Sequence, residues 1–323
     1  MKVEELFEKI KKSDRRGLSK AITLVESSKQ EDRKKASKLI DLVMPFTGKS
    51  QRIGISGIPG VGKSTFIEVL GKKLIAQGKK VAVLAVDPSS PISGGSILGD
   101  KTRMEELSQS PNAFIRPSPT AGSLGGVGQK TREAIFLCEA SGFDTILVET
   151  VGVGQSEFEV SSMVDLFMVL MVPNAGDELQ GIKKGIIELA DFIVINKTDG
   201  SSKQMALQAK SQYQNALSLL QKNDDWETQV LTCSALEEVG IDEIISSLKN
   251  FFNTLSKNNE LQKRRKIQKG NWLKMLFNSS LENYIKEDPD LNRKFNEIRE
   301  SVLESQKNPQ EACDEMLTTL LKK

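Results

Sequence analysis

Histidine is absent from this 323-residue chain, and cysteine is scarce. The three cysteines, Cys138, Cys233 and Cys313, lie far apart and form no C-x-x-C pair. These absences exclude imidazole metal ligands, histidine bases and Ser-His or Cys-His nucleophiles, and they argue against a disulfide framework or a thiolate metal site. Any catalysis must therefore use carboxylates, lysine or arginine, a hard metal ion or backbone dipoles.

Strong net charge and long apolar runs are also missing. The 45 basic side chains nearly balance the 43 acidic ones, and a net charge of +2 creates no global field that selects nucleic acid or an anionic membrane. No apolar run approaches the roughly 18–20 residues that span a bilayer, and the charged start lacks the apolar core of a signal peptide. We expect a cytoplasmic protein that binds neither nucleic acid nor membrane.

The most informative stretch is G-I-P-G-V-G-K-S at residues 57–64, which matches the phosphate-binding loop G-x-x-x-x-G-K-[ST]. Its glycines let the backbone turn N–H groups toward phosphate oxygens. Lys63 places an ammonium on the β- and γ-phosphates, and Ser64 offers a hydroxyl to Mg²⁺. A strand-like run precedes the loop and a helical pattern follows it, so the sequence predicts a nucleoside triphosphate site. Its residues are Gly57, Gly60, Val61, Gly62, Lys63, Ser64 and Thr65.

Short apolar runs alternate with helical patterns from residue 53 to about residue 252. Several runs are almost continuously apolar, which is typical of strands that are buried on both faces of a parallel sheet. The pattern predicts a doubly wound α/β domain whose ligands bind at the carboxyl ends of the strands. The predicted strands are 53–56, 81–86, 113–116, 145–149, 166–172, 192–196 and 229–233.

Three carboxylates are candidates for the metal and hydrolysis site. Asp87 ends the second strand and suits a Mg²⁺-bound or attacking water, although a helix cap or turn remains an alternative. Asp100 fits a helix N-cap, which leaves its catalytic role open. Glu149 ends an apolar strand, and Gly152 follows three residues later. In phosphate-loop nucleotidases such an acid orients Mg²⁺ or its water, and the glycine N–H meets the γ-phosphate.

Two further segments are predicted to be loops. Residues 116–128 contain three closely spaced glycines, which suggest a hinge or close backbone approach, with a plain surface loop as the alternative. Residues 172–180 form a charged loop that follows a central strand and leads into Lys183 and Lys184. This second loop is placed to contact the nucleotide or a partner, or else is simply solvated.

The base is predicted from two motifs at strand ends. Asn196, Lys197 and Asp199 form N-K-x-D, in which the Asp199 carboxylate accepts from guanine N1–H and the 2-amino group. Adenine cannot offer this pairing, so the carboxylate discriminates against ATP. Ser234-Ala235-Leu236 matches the loop that meets guanine O6 through a backbone N–H. The predicted ligands are therefore GTP and GDP.

Helical patterns continue beyond residue 252. The basic run 261–266 is interpreted as a solvated helix face rather than a nucleic-acid site, because no aromatics are interleaved with it. Trp272 and Phe277 suit a subunit interface.

The assembled motifs resemble those of the MeaB/ArgK family of GTPases. The resemblance rests on G-I-P-G-V-G-K-S-T at 57–65, A-V-D-P-S-S at 85–90 and G-G-S-I-L-G-D-K-T-R-M at 94–104. It rests equally on R-P-S-P-T-A-G-S-L-G-G-V at 116–127 and E-T-V-G-V-G-Q-S-E at 149–157. It implies a P-loop GTPase with an N-terminal helical segment (1–47), a G domain (48–255) and a C-terminal helical dimerisation arm (256–323).

The same resemblance implies a function. Members of this family are homodimeric GTPase chaperones of adenosylcobalamin-dependent acyl-CoA mutases, typically methylmalonyl-CoA mutase. The resemblance places Asp87, Asp100 and Glu149 at the Mg²⁺ and hydrolysis site, and makes Lys183 a sensor of nucleotide state in a third switch segment. Two alternatives stay open, a metal-insertion GTPase and a small-molecule kinase of the kind labelled as transport-linked arginine kinases.

Overall fold

The fold is described from a computed structural model, which divides the chain into two compact units, Met1–Arg265 and Lys266–Lys323. The division into domains at residues 47 and 255 stays a prediction. The described residues are 2–27, 29–87, 104–119, 124–150, 156–173, 184–219 and 226–321.

The first unit is built around a seven-stranded sheet in which every strand pairing is parallel. The strand order is β3-β2-β4-β1-β5-β6-β7, so the chain winds outward to both sides of β1 and β4. This confirms the doubly wound fold and all seven predicted strands. The strands are β1 (Gln51–Gly57), β2 (Val81–Asp87), β3 (Ala113–Pro119), β4 (Thr145–Thr150), β5 (Leu166–Met171), β6 (Phe192–Ile195) and β7 (Gln229–Thr232).

The described residues also form helices, and two short segments, Met44–Phe46 and Gly200–Ser202, form 3₁₀ turns. The helices are α1 (Val3–Lys11), α2 (Arg15–Glu26), α3 (Gln30–Val43), α4 (Lys63–Ala76), α5 (Glu105–Gln109), α6 (Leu124–Ala140), α7 (Ser156–Ser161), α8 (Lys184–Leu189), α9 (Lys203–Ser218), α10 (Ile241–Lys257), α11 (Glu260–Glu287), α12 (Pro289–Leu303) and α13 (Pro309–Leu321). None of the helices in these ranges is both long and apolar enough to cross a bilayer.

A large hydrophobic core lies between the sheet and the pair α4 and α10. Phe66, Ile67 and Leu70 of α4 are fully buried there with Phe251 of α10. Phe192 and Phe251 enclose Trp226, whose ring centroid lies 4.9 Å from that of Phe251. Each such side chain contributes about 1.5–3 kcal/mol by leaving water, so this core holds the helix of the phosphate loop firmly against the strands.

The N-terminal helices pack on α6 and on the edge strand β3. The buried side chains follow helical spacing, as in Leu18, Ile22 and Val25 of α2. Glu26, at the end of α2, pairs with Arg116 of β3. The segment is therefore an integral layer of the first unit.

The prediction of a loop at residues 116–128 is wrong at both ends of that range. Residues up to Pro119 belong to β3, and α6 begins at Leu124, so Gly125, Gly126 and Gly128 lie in the first turns of a helix. An edge strand tolerates Pro117 and Pro119 because only one of its edges needs backbone donors. Glycine costs a helix about 1 kcal/mol per residue, and the apolar, buried stretch 134–138 of the same helix offsets that cost.

The interpretation of 261–266 as a solvated face is also wrong for its two arginines. Arg265 is buried, and its Nε and Nη2 donate to the two carboxylate oxygens of Asp165 at 2.7 and 2.6 Å. Arg264 pairs with Asp191 at 3.1 Å. Both aspartates lie just before strands, so the basic pair ties α11 to the amino ends of β5 and β6. Sequence spacing gave no sign of these partners because they lie far away along the chain.

A third ion pair extends this network. Arg52 of β1 donates to both carboxylate oxygens of Glu139 on α6, at 2.9 and 2.8 Å. The backbone N–H of Arg52 also donates to Oδ2 of Asp165 at 2.9 Å. Arg265 reaches the carbonyl oxygens of Gly48 and Ser50 in the segment that enters β1. Each buried charge is thus satisfied, which is the condition for such pairs to be tolerated.

The second unit contains a small core between α12 and α13. Leu291 and Ile298 of α12 pack with Ala312 and Met316 of α13. Asp288 caps α12 by accepting from the N–H groups of Asp290 and Leu291. The structure thus confirms the helical patterns predicted beyond residue 252.

Candidate nucleotide-binding site

The phosphate loop joins the end of β1 to the start of α4, as the motif requires. Two of its glycines are sterically obligatory. A Cβ on Gly57 would lie 2.6 Å from the Leu170 carbonyl oxygen, and one on Gly62 would lie 2.8 Å from Nδ2 of Asn196. Gly62 also has a φ of 94°, which L side chains rarely adopt. The loop can therefore approach its neighbours as closely as a phosphate site demands.

Lys63 is buried, and its ammonium lies inside the loop. Its Nζ donates to the carbonyl oxygens of Gly57 at 2.7 Å and Ile58 at 3.1 Å. The charge is therefore held by the same loop whose N–H groups would meet phosphate oxygens. Lys63 begins α4, so the positive end of that helix dipole points to the same place.

Ser64 and Glu149 bring two hard oxygen donors together. The Ser64 hydroxyl lies 3.4 Å from Oε1 of Glu149, which is buried near the end of β4. Within the described ranges, no three Cys, Asp or Glu side chains are grouped as a metal site. Mg²⁺ prefers oxygen ligands, keeps several waters and takes further ligands from substrate phosphates, so this donor pair fits it. Thr65 follows Ser64 and is exposed.

Asn196 connects the phosphate loop to the segments that carry the N-K-x-D and S-A-L motifs. Its Nδ2 donates to the carbonyl oxygen of Val61 at 2.9 Å, and its Oδ1 accepts from the backbone N–H of Ala235 at 3.0 Å. The Cys233 thiol lies 3.5 Å from the same oxygen. Asn196 is almost completely buried, so these contacts fix the loops after β1, β6 and β7 relative to one another.

Asp199 is held in place by the next motif. The Ser234 hydroxyl donates to Oδ1 of Asp199 at 2.8 Å and accepts from the N–H of Glu237 at 3.1 Å. Asp199 is half-buried, which leaves its carboxylate accessible to a base. Lys197 has a φ of 61° and an exposed side chain, and Leu236 is 79% exposed. The structure therefore brings the N-K-x-D and S-A-L residues together.

Burial raises the pKa of the Cys233 thiol to about 12. The thiol therefore stays protonated at neutral pH and acts as a weak donor beside Asn196. Burial also raises the pKa of Cys138. Both thiols are therefore poor nucleophiles at neutral pH, because nucleophilic attack requires the thiolate.

Four predicted positions lie wholly or partly outside the described residues. Asp87 is the last residue of β2, and its side chain is not described. Asp100, Gly152 and Lys183 lie outside the described ranges altogether. Their predicted roles in metal binding, γ-phosphate contact and sensing of the nucleotide state stay predictions.

Sequence reasoning missed several polar contacts next to this site. The Thr150 hydroxyl donates to the Ser56 hydroxyl at 2.9 Å, and both side chains are buried. The Val61 carbonyl and the Cys233 thiol are likewise partners of Asn196 that no motif names. Isolated hydroxyl or thiol residues at the ends of apolar strands form no pattern, so no signal in the sequence marks them.

The chain matches known proteins over nearly all of its length. A family model described as "Methylmalonyl Co-A mutase-associated GTPase MeaB" matches residues 18–290. "GTPase ArgK" of Escherichia coli (strain K12) is 46% identical over 306 residues, which cover 94% of this chain and 92% of that protein. "Methylmalonic aciduria type A homolog, mitochondrial" of Mus musculus is 44% identical over 326 residues, covering 98% of this chain and 79% of that protein.

A solved structure supports the same relationship. "Crystal structure of LAO/AO transport system kinase" superposes with a TM-score of 0.80 at 38% sequence identity, covering 99% of this chain and 97% of that one. The similarity extends over both compact units rather than over the nucleotide loops alone.

Proposed function

The protein belongs to the MeaB family of methylmalonyl-CoA mutase-associated GTPases, and on this premise we propose that it is a GTP-hydrolysing chaperone of an adenosylcobalamin-dependent acyl-CoA mutase. In this proposal it gates loading of the cofactor into the mutase and protects or reactivates the enzyme. The client is of the methylmalonyl-CoA mutase type, which the family description and the name of the mouse relative support.

The nucleotide assignment rests on the hydrogen bonds of Asn196. One buried amide links the phosphate loop at Val61 to the S-A-L loop at Ala235, while Ser234 orients Asp199. This arrangement supports simultaneous recognition of phosphate and guanine. Adenine would offer the Asp199 carboxylate no donor beyond the Ser234 hydroxyl that already binds it, and the carboxylate lone pairs left unpaired would cost about 1–3 kcal/mol or more.

The proposed reaction is the attack of water on the γ-phosphorus of GTP, which breaks the bond to the β–γ bridging oxygen and yields GDP and phosphate. Lys63 and the loop N–H groups stabilise the charge that develops on the phosphate oxygens. Asp87 or Glu149 orients the water. Asp100 belongs to the same site, and Lys183 senses the nucleotide state.

Mg²⁺ would be held by Ser64 and by the carboxylates Glu149, Asp87 and Asp100, directly or through water. When bound, it would supply Lewis-acid stabilisation of the negative charge on the phosphates. The 3.4 Å separation of the Ser64 and Glu149 oxygens supports this donor set. Glu149 can then act only from a fixed position, because it is buried in the sheet.

Regulation would come through the loops at the carboxyl ends of the strands. No arginine finger is identifiable in the sequence, so we expect slow intrinsic hydrolysis that the mutase accelerates. The nucleotide state would bias these loops, and the mutase would read them.

The first test is GTP hydrolysis by the purified protein, alone and with an adenosylcobalamin-dependent methylmalonyl-CoA mutase. We expect slow release of phosphate alone and at least a tenfold increase with the mutase. Lys63→Ala should abolish both rates because it removes the ammonium from the phosphates. A partly exposed lysine at the opposite end of the same helix, Lys73, provides the matched control Lys73→Ala, which should retain both rates.

Two results would contradict the proposal. Fast metabolic turnover by the isolated protein would contradict a switch, and the absence of both stimulation and complex formation would contradict the mutase as client. In the second case tight Ni²⁺ or Zn²⁺ binding would favour the metal-insertion alternative.

A second candidate is phosphoryl transfer to a small molecule, which the name of the structural neighbour, a LAO/AO transport system kinase, favours. Incubation with γ-labelled GTP and arginine distinguishes the two. Label in phosphate supports hydrolysis, whereas label in the amino acid supports a kinase.

A further inference from the structure

The buried hydroxyl pair of Ser56 and Thr150 lies between the two strands that lead to the nucleotide. Ser56 is the residue before Gly57, where the phosphate loop begins, and Thr150 follows Glu149 at the end of β4. Their hydroxyl oxygens are 2.9 Å apart, and both side chains are at most 1% exposed. Water therefore cannot replace either partner, and the bond is short enough to fix both side chains.

This bond continues the sheet at the point where its backbone register stops. The register between β1 and β4 runs from Gln51 opposite Thr145 to Ile55 opposite Glu149. On its other side β4 continues one residue further, with Thr150 opposite Val86. Beyond Glu149, therefore, the side-chain bond to Ser56 is what joins β4 to β1.

The pair faces the side of the sheet away from Ser64 and Glu149. Side chains alternate along a strand, so Ser56 shares a face with Gly54 rather than with Ile55. A Cβ on Gly54 would lie 2.9 Å from Val160 of α7, so α7 packs directly on this face. The hydroxyl pair thus lies beside the helix to which the chain returns after β4.

We propose that Ser56 and Thr150 are positioning residues that set how strongly the site prefers GTP to GDP. The phosphate loop next to Ser56 binds phosphates that both nucleotides possess. Glu149 directly precedes Thr150, and Gly152 follows Thr150 by two residues in the sequence. The end of β4 therefore leads to the residues that are proposed to contact the metal ion, the water and the γ-phosphate. The bond therefore fixes the γ-phosphate side of the site relative to the β-phosphate side. This inference rests on the proposed function.

The test is a comparison of affinities for GDP and for a non-hydrolysable GTP analogue, guanosine 5′-(β,γ-imido)triphosphate, measured by calorimetry with the full-length chain and Mg²⁺. Thr150→Val removes the hydroxyl while keeping the shape of the side chain. We expect it to weaken the triphosphate about tenfold, as the loss of one buried hydrogen bond would, and to leave GDP within about twofold.

Three further variants separate positioning from stability. Ser56→Ala should weaken the triphosphate in the same way, and the double variant should be no worse than either single one, since both remove the same bond. Thr150→Ser keeps the hydroxyl and should restore the preference. Ser50→Ala removes another buried hydroxyl bond, to the carbonyl of Phe143, next to the opposite end of β1. It should lower stability similarly without changing the ratio of affinities.

Each outcome has one interpretation. An equal loss for both nucleotides, or an unchanged ratio, would overturn the positioning role while leaving the proposed function intact. A wild-type protein that binds neither guanine nucleotide would overturn both. If Thr150→Val does not fold, as judged by circular dichroism, Ser56→Ala gives the same comparison with a smaller change in volume.

Discussion

In the proposed function, base selection depends on a single carboxylate, that of Asp199. Its Oδ1 already accepts from Ser234, so the carboxylate enters the binding site with its orientation fixed. A fixed acceptor loses little entropy when the base binds, and it rejects a base that cannot donate.

We expect Asp199→Asn to exchange guanine for xanthine specificity. The new amide can donate to the 2-oxo group of xanthine but repels the donors of guanine. Two hydrogen bonds to a charged group are lost, so GTP affinity should fall at least about 100-fold while xanthosine triphosphate binds better. Competition binding with the two triphosphates measures the exchange.

Ser234→Ala is the matched control for this variant. It removes the orienting hydroxyl and keeps the carboxylate, so GTP should bind more weakly but still better than xanthosine triphosphate. Unchanged GTP affinity in Asp199→Asn would contradict the assignment of this residue to the base.

The sequence predicts which residues form the candidate nucleotide site, but it does not predict the contacts that hold those residues in position. Asn196, Asp199 and Ser234 are recognisable because motif and strand end coincide, and the structure brings them together as expected. The Ser56–Thr150 bond and the Cys233 thiol at Asn196 depend on register and on the packing of β7, which single residues do not encode. Periodicity identifies faces of elements, whereas such contacts are specified only in three dimensions.

At the scale of elements, buried parallel strands are the most predictable feature. Each reads as an apolar run, and all seven runs form strands. The error at 116–128 arose from the usual association of glycine and proline with loops. Proline is tolerated in β3 because this strand lies at the edge of the sheet. The helix α6 is stable despite its glycines because its later turns pack in the core.

We expect Arg265→Met to be among the most destabilising single changes in the first unit. Asp165 is fully buried and would keep its charge without the guanidinium, a situation that costs about 3–5 kcal/mol. Urea unfolding followed by Trp226 fluorescence, with Trp272 replaced by phenylalanine, measures the loss.

The neighbouring basic residue provides the control for Arg265. Lys266→Ala removes an exposed charge from the same run and should change stability by no more than about 0.5 kcal/mol. Equal effects of the two variants would show that the network at Asp165 contributes no more than surface charge does.

At the scale of the molecule, exposed apolar side chains are concentrated on the long helix α11. Leu273 and Phe277 are 69% and 66% exposed and lie one turn apart. Adjacent apolar side chains at this spacing are typical of a helix that packs on a partner. We therefore propose that α11 contributes to a homodimer.

We expect Phe277→Glu to shift the protein from dimer to monomer in sedimentation velocity, because a charge in an apolar interface is costly. Guanine nucleotide binding by the monomer should persist, since the described residues of the candidate nucleotide site lie in the first unit. Asn283→Glu adds the same charge at another exposed position of α11 and should leave the dimer intact. A wild-type protein that sediments as a monomer would contradict the proposal.

The strand order also has a consequence for biosynthesis. β1 pairs with β4 and β5, yet β1 ends at Gly57 and β4 begins only at Thr145. At about 5–20 residues per second, the apolar strand that leads into the phosphate loop emerges from the ribosome several seconds before its first neighbour. The nascent chain therefore cannot form a nucleotide pocket until most of the sheet has been translated, and during that interval its early strands require protection from aggregation.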